Sequence, residues 1–255
     1  MKTLAVCLLM GSLGAVFAID RSAAQTAPTT GTQLITLGTA GGPLPRADRA
    51  QSSNLLVVNG ALYLIDAGGS VTSRVVQSGH DFRKIGKIFI THPHSDHTAG
   101  LATLMVSQWE YQRAEPTDIY GGGVAFSYRF DTLDRSFLFT GDTGWSDAVI
   151  DLAKGADVLV TEVTSTDDVI GLMKRNGAWQ AKTESEQEGW LRHMHEEHVT
   201  PEEVGRFAAQ AGVKTVVMTH LSPSPDPNDD FARYAIAAKK HFSGSVLIAK
   251  DLMKF

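Results

Sequence analysis

Thr91-His92-Pro93-His94-Ser95-Asp96-His97-Thr98-Ala99-Gly100 packs four metal-type side chains into six residues. His92 and His94 are two apart, so on extended backbone both imidazoles point to the same side. Pro93 between them fixes the chain and removes a competing donor. Asp96 and His97 follow after a turn and aim at a second point nearby. Imidazole and carboxylate without thiolate form a borderline-to-hard donor set. It suits Zn²⁺ best, with Mn²⁺ or Fe²⁺ as alternatives. Satisfied core histidines usually come singly, and four such groups would be costly to bury without a cation.

The run that feeds this segment, residues 87–91, is one of a series of short β-branched or apolar runs bounded by Gly, Asp or Asn. The others lie at 34–37, 55–58, 62–65, 124–130, 137–140, 158–161, 215–219 and 245–249. Asn59-Gly60 between two of them is a strong hairpin signal. Apolar spacing predicts helices over 100–109, 145–154 and 229–242. Another begins at Thr200-Pro201-Glu202-Glu203, with a Thr cap, Pro at the first helical position and a Glu three on. Hairpins first and strand–helix alternation later predict a mixed α/β layered domain. Three apolar strands run straight into ligand-type residues: into His92, into Gly141-Asp142 and into His220. Strand ends at one sheet edge are where α/β folds place their sites.

The 255 residues are 43% apolar and 20% charged, a globular balance. With a formal charge of −5 and no basic run, a nucleic-acid backbone is not the expected partner; a small molecule is. Lys2 precedes an uncharged apolar stretch over residues 4–19, too short and too glycine-marked for a membrane span. Ser22-Ala23-Ala24 before Gln25 fits a cleavage site, with Val16-Phe17-Ala18 as a second option. Residues 1–24 thus read as a secretory signal peptide, 25–33 as a flexible lead-in and 34–255 as one domain. The expected location is periplasmic or secreted, with no stable membrane insertion after cleavage. Cleavage removes Lys2, Asp20 and Arg21, taking −5 to −6, and removes Cys7, the sole cysteine. That excludes thiol nucleophiles and cysteine ligands from the mature chain.

These residues resemble the metallo-β-lactamase-fold hydrolases with their His-x-His-x-Asp-His signature. Leu37-Gly38-Thr39-Ala40-Gly41-Gly42-Pro43 is similar to the family's glycine-rich opening, and Ile65-Asp66-Ala67-Gly68 to its Asp-x-Gly turn. Phe139-Thr140-Gly141-Asp142-Thr143 looks like the segment with the metal-bridging Asp, and Thr219-His220-Leu221 like that of the last His. Glu197-His198-Val199-Thr200 is similar to the His-x-Thr element of the ribonuclease Z and arylsulfatase-like branch. The resemblance implies an α/β fold, the four-layer αβ/βα sandwich. It implies two zinc ions, one on His92, His94 and Asp142, the other on Asp96, His97, Asp142 and His220. Asp96 and His198 are the candidate catalytic residues, His198 protonating the leaving group while hydroxide formed at the metals attacks. The implied activity is hydrolysis of a small ester, lactone, sulfate ester or phosphodiester.

The resemblance breaks in one interval. The family supplies a further His to the first metal between the main motif and the bridging Asp, and residues 98–141 contain none. The interval is also short for the family, and Tyr120-Gly121-Gly122-Gly123 reads as a join across an internal deletion. Three outcomes stay open: a single-metal site, a substitute ligand from His193 or His195, or an impaired, even non-catalytic, metal-binding relative. His80 and His241 are isolated and read as exposed or capping. Trp179 and Trp190 could line a pocket, with core packing the expectation.

Overall fold

A computed structural model describes residues 30–123, 125–223 and 229–255; the leader expected over 1–24 and most of the lead-in lie outside them. β1 (Thr32–Gly38) and β2 (Ser53–Val58) run antiparallel. β2 turns into β3 (Ala61–Ile65) through Asn59 and Gly60, whose φ values of 49° and 85° are those of a two-residue hairpin turn. Helix α1 (Val71–Gln77) returns the chain to β4 (Ile85–Ile90), parallel to β3. A single turn, α2 (Ser95–Thr98), and α3 (Leu101–Glu110) then lead to β5 (Asp118–Gly121), parallel to β4 at the rim of this first sheet.

The second sheet starts with β6 (Tyr128–Asp131) antiparallel to β7 (Ser136–Phe139). After α4 (Asp147–Ala153) comes β8 (Val158–Thr164), then the helical pair α5 (Thr166–Arg175) and α6 (Glu184–Glu197). Helix α7 (Pro201–Ala211), β9 (Thr215–Ser222), α8 (Ala232–Lys239) and β10 (Ser245–Ile248) complete it, with β7 to β10 all parallel. The last strand, β11 (Met253–Lys254), crosses back to pair with β1.

Three apolar clusters define the layers. Leu34, Leu56, Ile65, Phe137, Val160 and Val217 fill the space between the sheets. Leu64, Val71, Val75, Ile88 and Leu104 pack α1 and α3 on the outside of the first sheet; Leu159, Val204, Phe207, Val216 and Tyr234 pack α7 and α8 on the outside of the second. The result is the four-layer αβ/βα sandwich expected, with two mixed sheets flanked by helices. Among the described residues no helix is long and apolar enough to cross a membrane.

Several local expectations shift. The first strand starts inside the expected lead-in, with Thr32 held from both its N–H and its hydroxyl by Asp134 (2.8 and 2.6 Å). The strand expected over 124–130 is only its second half. Residues 122–127, of which Val124 lies outside the described ones, are spent crossing between sheets, with the Phe126 N–H donating to the Thr91 carbonyl at 2.8 Å. The helix expected over 145–154 starts two residues later, where the Ser146 hydroxyl accepts from the Val149 N–H. The apolar pattern did not announce α1, α5, β5 or β11.

Candidate metal centre

The carboxyl ends of β4, β7, β8 and β9 meet at one rim, and each delivers a polar side chain there. After β4, Pro93 keeps the chain extended, so the His92 Nε2 and His94 Nδ1 come within 3.0 Å. The chain then closes into α2, which turns Asp96 and His97 inward, both buried. Asp142 follows β7 through Gly141, and His220, two residues before the end of β9, has a φ of 45°, a left-handed conformation rare outside glycine. The register between β8 and β9 shifts at this level, where Thr161 pairs with Met218 but Val163 with Leu221. Such an irregularity re-aims side chains beside a site. Gly41 is required here by close approach: a Cβ on it would stand 2.7 Å from the His220 carbonyl oxygen. The neighbouring Gly42 nitrogen lies 3.3 Å from His220 Nε2.

Two groups of ligand atoms result. His92, His94 and Asp142 form one, and Asp96, His97 and His220 the other, each with its atoms within 4.8 Å of one another. Asp142 lies between them. Its Oδ1 is 3.5 Å from His97 Nε2, and its Oδ2 is 3.4 Å from His220 Nε2 and 3.7 Å from His92 Nε2. His97 Nε2 and Asp142 Oδ1 are buried, face each other at 3.5 Å, and make no hydrogen bond. Buried donors and acceptors are rarely left unpaired, so this spacing is that of two ligands waiting on a third body between them. The donor set, imidazole and carboxylate alone, fits zinc.

Electrostatics follow the same geometry. Burial, with His97 alongside, pushes the His92 imidazolium down to about 4, leaving a neutral ring with a free lone pair at neutral pH. Burial would also depress His97 and His220, but the surrounding carboxylates prevail: Asp66 and Asp142 raise His97, and Asp142 with Asp96 takes His220 up to about 10. Asp96 and Asp142, against the burial that would raise them, stay below the usual carboxylate range because of these same imidazoles. His97 and His220 would thus exchange a proton for a metal, and metal binding would release those protons.

Two carboxylates that sequence reading left without a role organise the site. Asp66, at the turn after β3, accepts from the Thr91 N–H (2.8 Å), from the Thr91 hydroxyl (3.0 Å) and from His97 Nδ1 (2.8 Å). It thereby fixes His97 with Nε2 toward Asp142. Glu162, on β8, accepts from the Val199 N–H at 2.7 Å and faces His198 Nδ1 at 3.3 Å. Burial pushes the Glu162 carboxyl up. His198, which burial alone would lower, is raised by Glu162. The only signal for Glu162 was that β8, too, leads an apolar run into an acidic residue.

The expected stand-ins for the missing His divide. His195 points away from the centre into a separate cavity beside Thr200 and Lys240. His193 lines the cleft but pairs its Nδ1 with Glu197 at 3.1 Å and sets its ring edge-on to His198; neither belongs to a ligand group. His80 is far from the site, its Nδ1 3.1 Å from the Ser78 hydroxyl. Trp190, against the expectation of core packing, lines the cleft.

The family described as "Anti-Pycsar protein Apyc1" matches residues 32–125, and that described as "Beta-lactamase superfamily domain" matches residues 111–221. Ribonuclease Z from Mycobacterium bovis is 24% identical, with 86% of this chain and 96% of that protein covered. Its alignment runs over 285 positions while 86% of 255 residues is about 219, so roughly 65 of them have no counterpart here. The metallo-beta-lactamase fold protein YhfI from Bacillus subtilis superposes with a TM-score of 0.65 at 20% identity, covering 88% of this chain and 98% of that one. Zn(2+)-bound PqqB from Methylobacterium extorquens does so with 0.61 at 14% identity, covering 88% and 99%.

Proposed function

Because the chain belongs to the metallo-β-lactamase superfamily, on its ribonuclease Z-like branch, and is a metal-dependent hydrolase, we propose that it cleaves a small ester, lactone, sulfate ester or phosphodiester with zinc as its metal. The observation that carries this reading is the buried, unpaired His97 Nε2 and Asp142 Oδ1 between two ligand groups. His92, His94 and Asp142 would hold one cation; Asp96, His97, Asp142 and His220 the other. Bound cations would lower the pKa of water and polarise the substrate oxygen. The first site is the weaker of the two, since it has three protein ligands and one of them, His94, is exposed.

The chain's own residues supply orientation and a proton. Asp66 sets the His97 tautomer. Glu162 turns Nδ1 of His198 toward itself, which leaves Nε2 as the nitrogen that gives a proton to the departing oxygen. Asp96, hydrogen-bonded to His220 Nε2 at 3.1 Å, borders the cleft where the substrate's reacting centre would sit. Residues 1–24 would direct export to the periplasm or beyond, to be checked by N-terminal sequencing of the mature protein.

A second reading, an RNA phosphodiester, is favoured by the likeness to ribonuclease Z. Against it stand the formal charge of −5 and a cleft with no Lys or Arg among its described lining residues. Zinc content decides the metal reading. About two zinc per purified chain, falling in Asp142→Ala, supports it, and no binding of zinc or manganese overturns it. Release of product from short RNA, with none from small esters, would favour the second substrate.

A further inference from the structure

The cleft beside His198 has about 380 Å³, within the size range of small-ligand pockets. One wall is polar and belongs to the ligand groups. The other is apolar: Trp190 and Met194 from α6 and Val169 from α5. Trp190 and Val169 are only partly buried, while Met194 is buried. α5 buries none of its ten residues and α6 only Met194, so the helical pair contributes little to the packed interior. Trp190 is braced by Trp179, edge-on at 5.8 Å and 83°. A half-exposed tryptophan beside a polar centre gains nothing from water; it gains from an apolar ligand group laid against it.

This wall adjoins His198, whose proton goes to the departing oxygen. Resting on the hydrolase reading above, we infer that Trp190, Val169 and Met194 seat the leaving group, so that the substrate is a small ester of an uncharged arylalkyl or branched alkyl alcohol. In the reaction, water oxygen bonds to the acyl, sulfuryl or phosphoryl centre, and the bond from that centre to the alcohol oxygen breaks. Its electron pair stays on the alcohol oxygen, which takes the proton from His198; His198 recovers one from the attacking water. The alcohol leaves neutral, so the seat needs no cation, in keeping with a described lining that has neither Lys nor Arg.

The test compares benzyl and methyl esters of the same acid, whose alcohols have similar acidity, on the zinc-loaded full chain. The wild type prefers benzyl, and Trp190→Ala lowers the benzyl-to-methyl ratio of kcat/KM roughly tenfold. Trp190→Phe restores most of the ratio. Benzyl alcohol, titrated calorimetrically into zinc-free protein, binds roughly tenfold more weakly to Trp190→Ala. An unchanged ratio, an equal loss on both esters, or equal benzyl alcohol binding overturns the inference. Should Trp190→Ala not fold, Val169→Asp on the other helix makes the same comparison. If no ester of any class is hydrolysed, the hydrolase reading has failed, and benzyl alcohol binding still decides the seat.

Discussion

Replacing Asp66 by Asn changes one atom of a buried side chain 2% exposed, and should weaken metal binding at one of the two ligand groups. Asp66 accepts from the Thr91 N–H, the Thr91 hydroxyl and His97 Nδ1 at once. An Asn whose oxygen keeps the Thr91 N–H turns its amide N–H₂ toward His97 Nδ1. That nitrogen must then accept, so the imidazole proton moves to Nε2 and covers the atom that faces Asp96 and Asp142 at 3.5 Å. Losing an outer partner of this kind typically lowers metal affinity 10–100-fold, about 1.4–2.7 kcal/mol. The loss should fall on the Asp96–His97–His220 group alone. Zinc competition against a chromophoric chelator resolves the two sites, with His94→Ala as the reference lacking the other group. Equal affinities in Asp66→Asn and wild type at an unchanged melting temperature, or a loss confined to the His92–His94–Asp142 group, would refute the role given to Asp66.

Glu162→Gln removes the charge that raises His198, so the basic limb of the pH–rate profile should move to lower pH. Rates should fall roughly 100-fold for esters of poor leaving groups and little for 4-nitrophenyl esters, which need no proton. Asp157 is held down to about 2 by Lys214 and by the Ser136 N–H and hydroxyl. Its folded pKa lies below the unfolded value of about 3.9, so its contribution is present above pH 4 and disappears as pH falls toward 2. Melting curves of wild type and Asp157→Asn should converge at the acid end of that window and diverge above it. Thr200→Ala breaks a reciprocal capping box with Glu203 at the start of α7 and should cost about 1 kcal/mol, a fall of roughly 2–4 °C in Tm by differential scanning calorimetry.

What could be read from the sequence was whatever is encoded locally. Asn59-Gly60 fixes its hairpin because both residues tolerate positive φ, and Thr200-Pro201 marks a helix start because cap and first turn are neighbours in sequence. The His-rich segment is local as well, four side chains on one strand end and one turn. Asp66 and Glu162 escaped because their partners are 31 and 36 residues away, and Glu162 looks like one more position in a buried strand. β5 escaped because its four residues are all exposed and so carry no alternation between faces. Trp190 was misplaced because an aromatic residue at helical spacing looks the same whether it faces a core or a cleft.

The short passage from β5 to β6 has a consequence for how molecules of this protein meet one another. β5 stands at the rim of its sheet, with Ile119 and Tyr120 exposed. Such a rim is a template for a stranger's strand. Brevity is the safeguard here: four residues, bracketed by the Lys87–Asp118 ion pair at one end and by Gly121 at the other, offer too little ladder to hold a second chain. Gly121, at a φ of 108° with no space for a Cβ against the Ile90 carbonyl, bends the chain away before the ladder can lengthen. Gly121 thereby limits how far a second strand could pair along this rim.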